Sequence, residues 1–281
     1  MFKSSNVYMK ILDGKILAEK ILNEIKASII RAGRHPGLAV ILVGNDAASE
    51  KYVKIKEKKA NEVGINFHKY LLSAKTEEKN ILEMIDFLNK DEETAGIIVQ
   101  LPLPAKFDTD KIIASILPNK DVDGFHPENL KNLEQGKPAI VSPVSQAVMA
   151  ALDESGEKLT NKKIIILANS EIFAQPIIYL LKGKGLSPDL VLAKENKWKE
   201  KIKTADAIIT AIGQPKIIKK NLVKDGVVII DIGTSFVHGQ TVGDADMKSL
   251  KDKASFITPT PGGIGPLTVA FLLRNVLAMN K

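Results

Sequence analysis

The chain has 281 residues with 44% hydrophobic and 26% charged, the composition of an ordinary globular protein, and its length suits two domains better than one. It has no cysteine, which excludes disulfides and thiolate metal sites, and its four histidines (His35, His68, His126, His238) are too scattered for a helical ligand pair, so no metal centre is expected. The net charge of +7 comes from 40 Lys and Arg spread among 33 Asp and Glu, which reads as a basic solvated surface before a nucleic-acid footprint and suits an acidic small molecule equally well.

In chain order, the opening MFKSSNVYMKILDG has no apolar core or cleavage site of a signal peptide. No apolar run reaches membrane length, so a cytoplasmic protein without a membrane partner is expected. Residues 38–43 (LAVILV) form a continuous apolar strand closed by Gly44. Ser49 is expected to open a helix running to about Glu62, with Gly64 as its stop. A strand follows at 67–72, and Ile81, Leu82, Ile85 and Leu88 recur at helical spacing. A third strand is expected at 96–101. A second series starts near Ser145, with a helix around 148–152, a strand at 163–168 and a helix near 176–181. Strands at 189–192, 207–212 and 227–232 and a closing apolar helix at 267–279 complete it. Continuous apolar strands separated by helices predict an α/β fold with two parallel-sheet domains and a cleft between them. Ligands of such sheets bind beyond the carboxyl ends of the strands.

Four segments carry chemistry. Val99, Gln100 and Leu101 end a buried strand, and Pro102 and Pro104, lacking N–H donors, keep the chain from pairing further. An amide is thereby aimed at whatever lies beyond the strand. Tyr52 and Lys56 are four residues apart on one helix face, where a neighbouring ring can desolvate an amine and lower its pKa, although lysines nearby also fit a solvated face. Asp121 and Asp123 share a short turn with Gly124. Pro261, Gly262, Gly263 and Gly265 crowd special backbone positions into few residues, which suits close approach to a ligand more than a plain connector.

The order and spacing of Tyr52…Lys56, Val99-Gln-Leu-Pro-Leu-Pro104, Pro118-Asn-Lys-Asp-Val-Asp-Gly-Phe-His-Pro127 and Pro261 to Val269 resemble the bifunctional methylenetetrahydrofolate dehydrogenase/methenyltetrahydrofolate cyclohydrolase family over nearly the whole chain. The resemblance implies NADP-dependent oxidation of 5,10-methylenetetrahydrofolate, with NAD as the alternative cofactor, then hydrolysis to 10-formyltetrahydrofolate. It implies that Lys56 handles protons, Gln100 holds it, Tyr52 stacks on the folate and Asp123 grips the pterin, with Val99, Leu101, Pro261, Gly262 and Gly263 also lining the folate site. It implies a folate domain at 1–143 completed by 267–281, a Rossmann-type dinucleotide domain at 144–266, a homodimer, and a place in purine biosynthesis.

The cofactor half departs from the family pattern. Where that pattern has Gly-Arg-Ser and Val-Gly-x-Pro, this chain has Ala168-Asn169-Ser170 and Phe173-Ala174-Gln175-Pro176. Its Pro-Cys-Thr-Pro segment is Ile140-Val141-Ser142-Pro143 here. The alanines are expected to narrow the room for a pyrophosphate, and Asn169 and Ala193 offer no charge to a ribose phosphate. Thr234, in Asp-Ile-Gly-Thr, keeps to the pattern. Weaker discrimination between NADP and NAD is therefore expected. Two other readings stand beside the leading one: a cyclohydrolase with weak or lost dehydrogenase activity, and a basic nucleic-acid or regulatory binder on the same scaffold.

Overall fold

A computed structural model describes residues 9–195 and 197–279; the first eight residues, on which the expectation about a signal peptide partly rests, lie outside the described residues. The elements are β1 (Lys10–Ile11), α1 (Gly14–Ala32), β2 (Gly37–Val43), α2 (Ala47–Val63), β3 (Asn66–Leu72), α3 (Glu78–Lys90), β4 (Thr94–Val99), α4 (Thr109–Ala114), α5 (Pro127–Glu134), α6 (Pro143–Ser155) and β5 (Ile164–Ala168). They continue with α7 (Glu171–Gly183), β6 (Pro188–Leu192), α8 (Trp198–Ile202), β7 (Ala207–Ala211), β8 (Val227–Asp231), β9 (Ser235–Val237), β10 (Gln240–Val242), α9 (Met247–Leu250), β11 (Ala254–Ile257) and α10 (Ile264–Met279). By packing, the chain falls into two units. One is Ala18–Pro143 with Thr268–Lys281, and the other is Met1–Leu17 with Val144–Leu267.

In the unit built on Ala18–Pro143, three parallel strands run in the order β3-β2-β4. The central β2 is buried along its whole length, as an uninterrupted apolar run between two parallel neighbours requires. Ala39, Ile41 and Val43 pack with Ile81, Ile85 and Leu88 of α3 and Ile112 of α4. The α2 helix starts two residues earlier than Ser49: the Asp46 carboxylate caps it by accepting from Ser49 N at 2.7 Å. Gly64 ends it at φ 93°. The β4 strand also stops earlier than expected, at Val99 rather than Leu101. Gln100 N makes one last bond to Ile41 O, at 2.9 Å, before the chain turns away.

The C-terminal part of α10 locks this unit. Asn275 is buried and its Nδ2 donates to Val122 O and Val141 O, both at 2.9 Å. Gly96 has no room for a side chain, because a Cβ there would lie 2.6 Å from Val122 Cγ1 and 3.3 Å from Val276 Cγ2. The 119–126 loop is therefore held from both sides.

The other unit carries six strands in the order β1-β11-β8-β7-β5-β6, all parallel, plus an antiparallel β9–β10 hairpin. Buried β5, β7 and β8 form its centre, with Ile165, Leu167, Ile208 and Ile229 in one cluster with Trp198 and Ile202 of α8. The α7 helix begins at Glu171, five residues before the expected start at Pro176, which sits inside it. Among the described residues no helix is long and apolar enough to cross a membrane.

Asn275→Ala removes a donor from one buried and one half-buried carbonyl and is expected to destabilise the protein by about 1–3 kcal/mol. Denaturant unfolding of mutant and parent measures this, and equal stability would show that Asn275 is not the lock described.

Candidate active site

Tyr52 and Lys56 lie one turn apart on α2, both half-buried. Lys56 Nζ donates to Gln100 Oε1 at 3.0 Å. Gln100 Nε2 in turn donates to Leu101 O at 2.7 Å, so the amide's donor end is occupied and its oxygen faces the lysine. Val99 is buried at the strand end and Leu101 half-buried just beyond it. The helix spacing and the strand exit thus meet at one amine–amide pair.

Asp123 completes the group. Its loop is fixed by Asp121, whose buried carboxylate accepts from Gly124 N (3.1 Å), His126 N (2.7 Å) and Asn129 Nδ2 (3.1 Å). Ile97 N donates to Lys120 O at 2.7 Å, fastening the loop along β4. Of the two acids in the turn, Asp121 is consumed by structure and Asp123 is left for chemistry. Burial lowers the Lys56 pKa below that of an ordinary lysine and raises that of Asp123 above an ordinary carboxylate. Their mutual attraction opposes both shifts, and burial prevails. A lowered pKa moves a lysine toward the neutral form that can accept a proton from water. Gln100 helps by being uncharged, since it fixes the amine without stabilising the ammonium as a carboxylate would.

The dinucleotide candidates lie in the other unit, at the carboxyl ends of its strands, where ligands of such sheets bind. Ala168 ends β5, Ser170 caps α7, Ala193 follows β6 and Thr234 follows β8. Ala193 N donates to Ala168 O at 2.9 Å, and Asn169 Nδ2 donates to Ile212 O at 2.9 Å. Thr234 is exposed, its hydroxyl 3.3 Å from Ile232 O. Ala168 and Ala174 are both fully buried and neither has a positive φ, so their methyl groups fill protein packing. Ser170 makes no side-chain cap on the 13-residue α7, whose first N–H groups suit a phosphate, although Glu171 beside them opposes one. The residues therefore fit a dinucleotide.

Pro261, Gly262 and Gly263 lie between β11 and α10, grouped by packing with the dinucleotide candidates. Gly262 takes φ 107°, and a Cβ on Gly263 would lie 2.6 Å from Pro259 O. The sequence reading gave no role to Asp244, whose only signal is a buried acid in a mixed segment after the hairpin.

Residues 12–123 match the family model for the tetrahydrofolate dehydrogenase/cyclohydrolase catalytic domain, and residues 142–281 match that for its NAD(P)-binding domain. The chain is 42% identical over 276 residues to the bifunctional protein FolD of Geotalea daltonii, covering 97% of this chain and 99% of that one. It is 40% identical over 273 residues to FolD of Campylobacter concisus, covering 96% of each. The crystal structure of the bifunctional enzyme FolD from Campylobacter jejuni superposes with a TM-score of 0.91 at 37% identity, covering 97% of this chain and 98% of that one. The Trypanosoma brucei FolD structure, complexed with NADP cofactor and inhibitor, gives a TM-score of 0.91 at 31% identity and 97% coverage of each chain.

The neutral character of residue 100 is open to test. Gln100→Glu places a carboxylate against the amine, raises the Lys56 pKa and holds the lysine protonated. Hydrolysis of methenyl folate at neutral pH is expected to fall roughly tenfold or more and recover as pH rises. An unchanged pH–rate profile would contradict this account of the pair.

Proposed function

Because the chain belongs to the tetrahydrofolate dehydrogenase/cyclohydrolase family, we propose that it oxidises 5,10-methylenetetrahydrofolate to the methenyl form and hydrolyses that to 10-formyltetrahydrofolate. The observation that carries the site assignment is the Lys56–Gln100 pair, an amine of lowered pKa against a fixed neutral amide. NADP, or NAD in its place, would be held at the edge bearing Ala168, Asn169, Ser170, Ala193 and Thr234 and would supply the acceptor for the hydride of the methylene carbon.

Tyr52 supplies a ring face for the flat pterin, and Asp123 meets its donor edge. Val99 and Leu101 wall the pterin, and Pro261, Gly262 and Gly263 bring backbone close to the substrate. In hydrolysis, water oxygen bonds to the cationic methenyl carbon while neutral Lys56 takes a water proton. The bond from that carbon to the pterin-ring nitrogen then breaks as that nitrogen is protonated from Lys56. Loss of the remaining hydroxyl proton leaves the formyl group on the other nitrogen, and one proton is released overall. Gln100 keeps the amine in place through both transfers.

Ala168, Asn169, Ser170, Ala193 and Thr234 form the dinucleotide edge. The folate half is read as 1–143 with 267–281 and the dinucleotide half as 144–266. The reading as a cyclohydrolase without dehydrogenase activity is not favoured, because the substituted glycine positions are filled inward. A nucleic-acid binder is not favoured either, having no use for the amine–amide pair. The protein is further read as a cytoplasmic homodimer, with no nucleic-acid or membrane partner, whose product feeds purine biosynthesis. Its net charge of +7 suits folates bearing several glutamates. Light scattering tests the dimer, which has twice the 30.6 kDa chain mass.

Lys56→Met is expected to lower hydrolysis of methenyl folate by about 10²–10⁴-fold while folate still binds, the scale of a lost general acid–base. Near-parental hydrolysis by a folded mutant would refute the role given to Lys56.

A further inference from the structure

Two buried carboxylates stand beneath the dinucleotide edge. Asp244 is fully buried and its carboxylate gathers three donors. Thr210 Oγ1 and Ile212 N donate to Oδ2 at 2.8 and 2.9 Å, and Gln214 N donates to Oδ1 at 2.8 Å. Asp231, at the end of β8, accepts from Gly233 N (2.9 Å), Asp244 N (3.2 Å) and Ala245 N (2.9 Å). The segments so held are 212–214, following β7, and 232–234, following β8, and these two strands are neighbours in the sheet.

Two further bonds extend the network. Ser235 Oγ donates to Gly213 O at 2.9 Å, tying the residue that follows segment 232–234 to segment 212–214. Asn169 Nδ2 donates to Ile212 O at 2.9 Å, joining the β5 segment. The packing has no slack, since a Cβ on Gly233 would lie 2.1 Å from Asp244 Cγ and one on Gly243 2.1 Å from Asp231 Oδ2. Burial is costly enough to push the Asp231 pKa up to about 7, so the arrangement is not a cheap way to close a turn.

We infer that Asp244 is the positioning residue of the dinucleotide site: its carboxylate fixes segment 212–214, its backbone N–H donates to Asp231, which holds segment 232–234, and Asn169 carries the same network to the β5 segment. The inference rests on the reading that this edge binds NADP or NAD. Loops fixed in advance spare the dinucleotide the cost of ordering them. An ionised carboxylate can accept from all three donors together, whereas an amide must turn its NH₂ toward at least one of them. In this role Asn169 is a brace, and its amide does not select the ribose phosphate.

The test is Asp244→Asn in the full chain. NADPH binding is followed by energy transfer from Trp198, the single tryptophan in the sequence. The dissociation constant of NADPH and the KM for NADP are expected to rise roughly ten- to hundredfold. Hydrolysis of methenyl folate, which uses no dinucleotide, should keep its kcat and KM. Parental NADPH binding, or loss of hydrolysis in parallel with it, overturns the inference in favour of no role or a merely structural one. Should Asp244→Asn not fold, Asn169→Ala at the exposed rim decides. It is expected to weaken NADPH and NADH by the same factor, and unchanged binding or a loss confined to NADPH overturns the inference. If the unmodified protein binds neither nicotinamide, the cofactor reading itself fails and the inference with it. Binding by the parent with no loss in the variants overturns the inference alone.

Discussion

A lysine whose pKa burial lowers is held by a neutral amide, and much of the Ala18–Pro143 unit follows from that one hydrogen bond. A carboxylate in the amide's place would fix the amine equally well but would stabilise the ammonium. The amide must then be kept from turning its NH₂ toward the lysine, and Leu101 O does this at 2.7 Å. That carbonyl is available because β4 ends at Val99 and the chain leaves through Pro102. Even the loop bearing Asp123 is anchored elsewhere, by Asp121 and Asn275, so that its free acid sits near the amine without bonding the backbone itself.

The dinucleotide unit solves its positioning problem the opposite way. There the fixed groups are backbone N–H donors, and the matching anchor is a buried carboxylate that accepts from several of them at once. One unit thus keeps a carboxylate away from the amine's hydrogen bond, and the other uses carboxylates to hold its loops still.

The sequence makes the parallel sheets legible because their strands are unbroken apolar runs, such as 38–43 and 164–168, set between helical repeats. Element ends are less legible. Asp46 and Ser49 are both good cap residues, and only the fold decides that Asp46 caps while Ser49 is buried. Leu101 looks like strand because it is apolar, yet the ladder stops before it. The two-residue β1 and the β9–β10 hairpin carry too few residues for any period to emerge. In the site, spacing places Tyr52 and Lys56 on one helix face, but nothing local brings Lys56 to Gln100 across 44 residues; that pairing came from the resemblance. Spacing also cannot say which of Asp121 and Asp123 is structural, nor that the methyl groups of Ala168 and Ala174 point inward. Asp244 was invisible because its value lies entirely in donors from other strands.

The central claim is that burial lowers the Lys56 pKa where it stands. Its most direct test is a lysine-selective carbon-13 NMR titration of the unmodified protein, with the Lys56 signal assigned from Lys56→Arg. The account predicts a titration midpoint below the ordinary lysine value of 10.5, the direction that burial imposes against the weaker pull of Asp123. A midpoint at or above 10.5 would mean that Lys56 stays an ammonium beside Gln100, and the proton-transfer role built on it would be wrong.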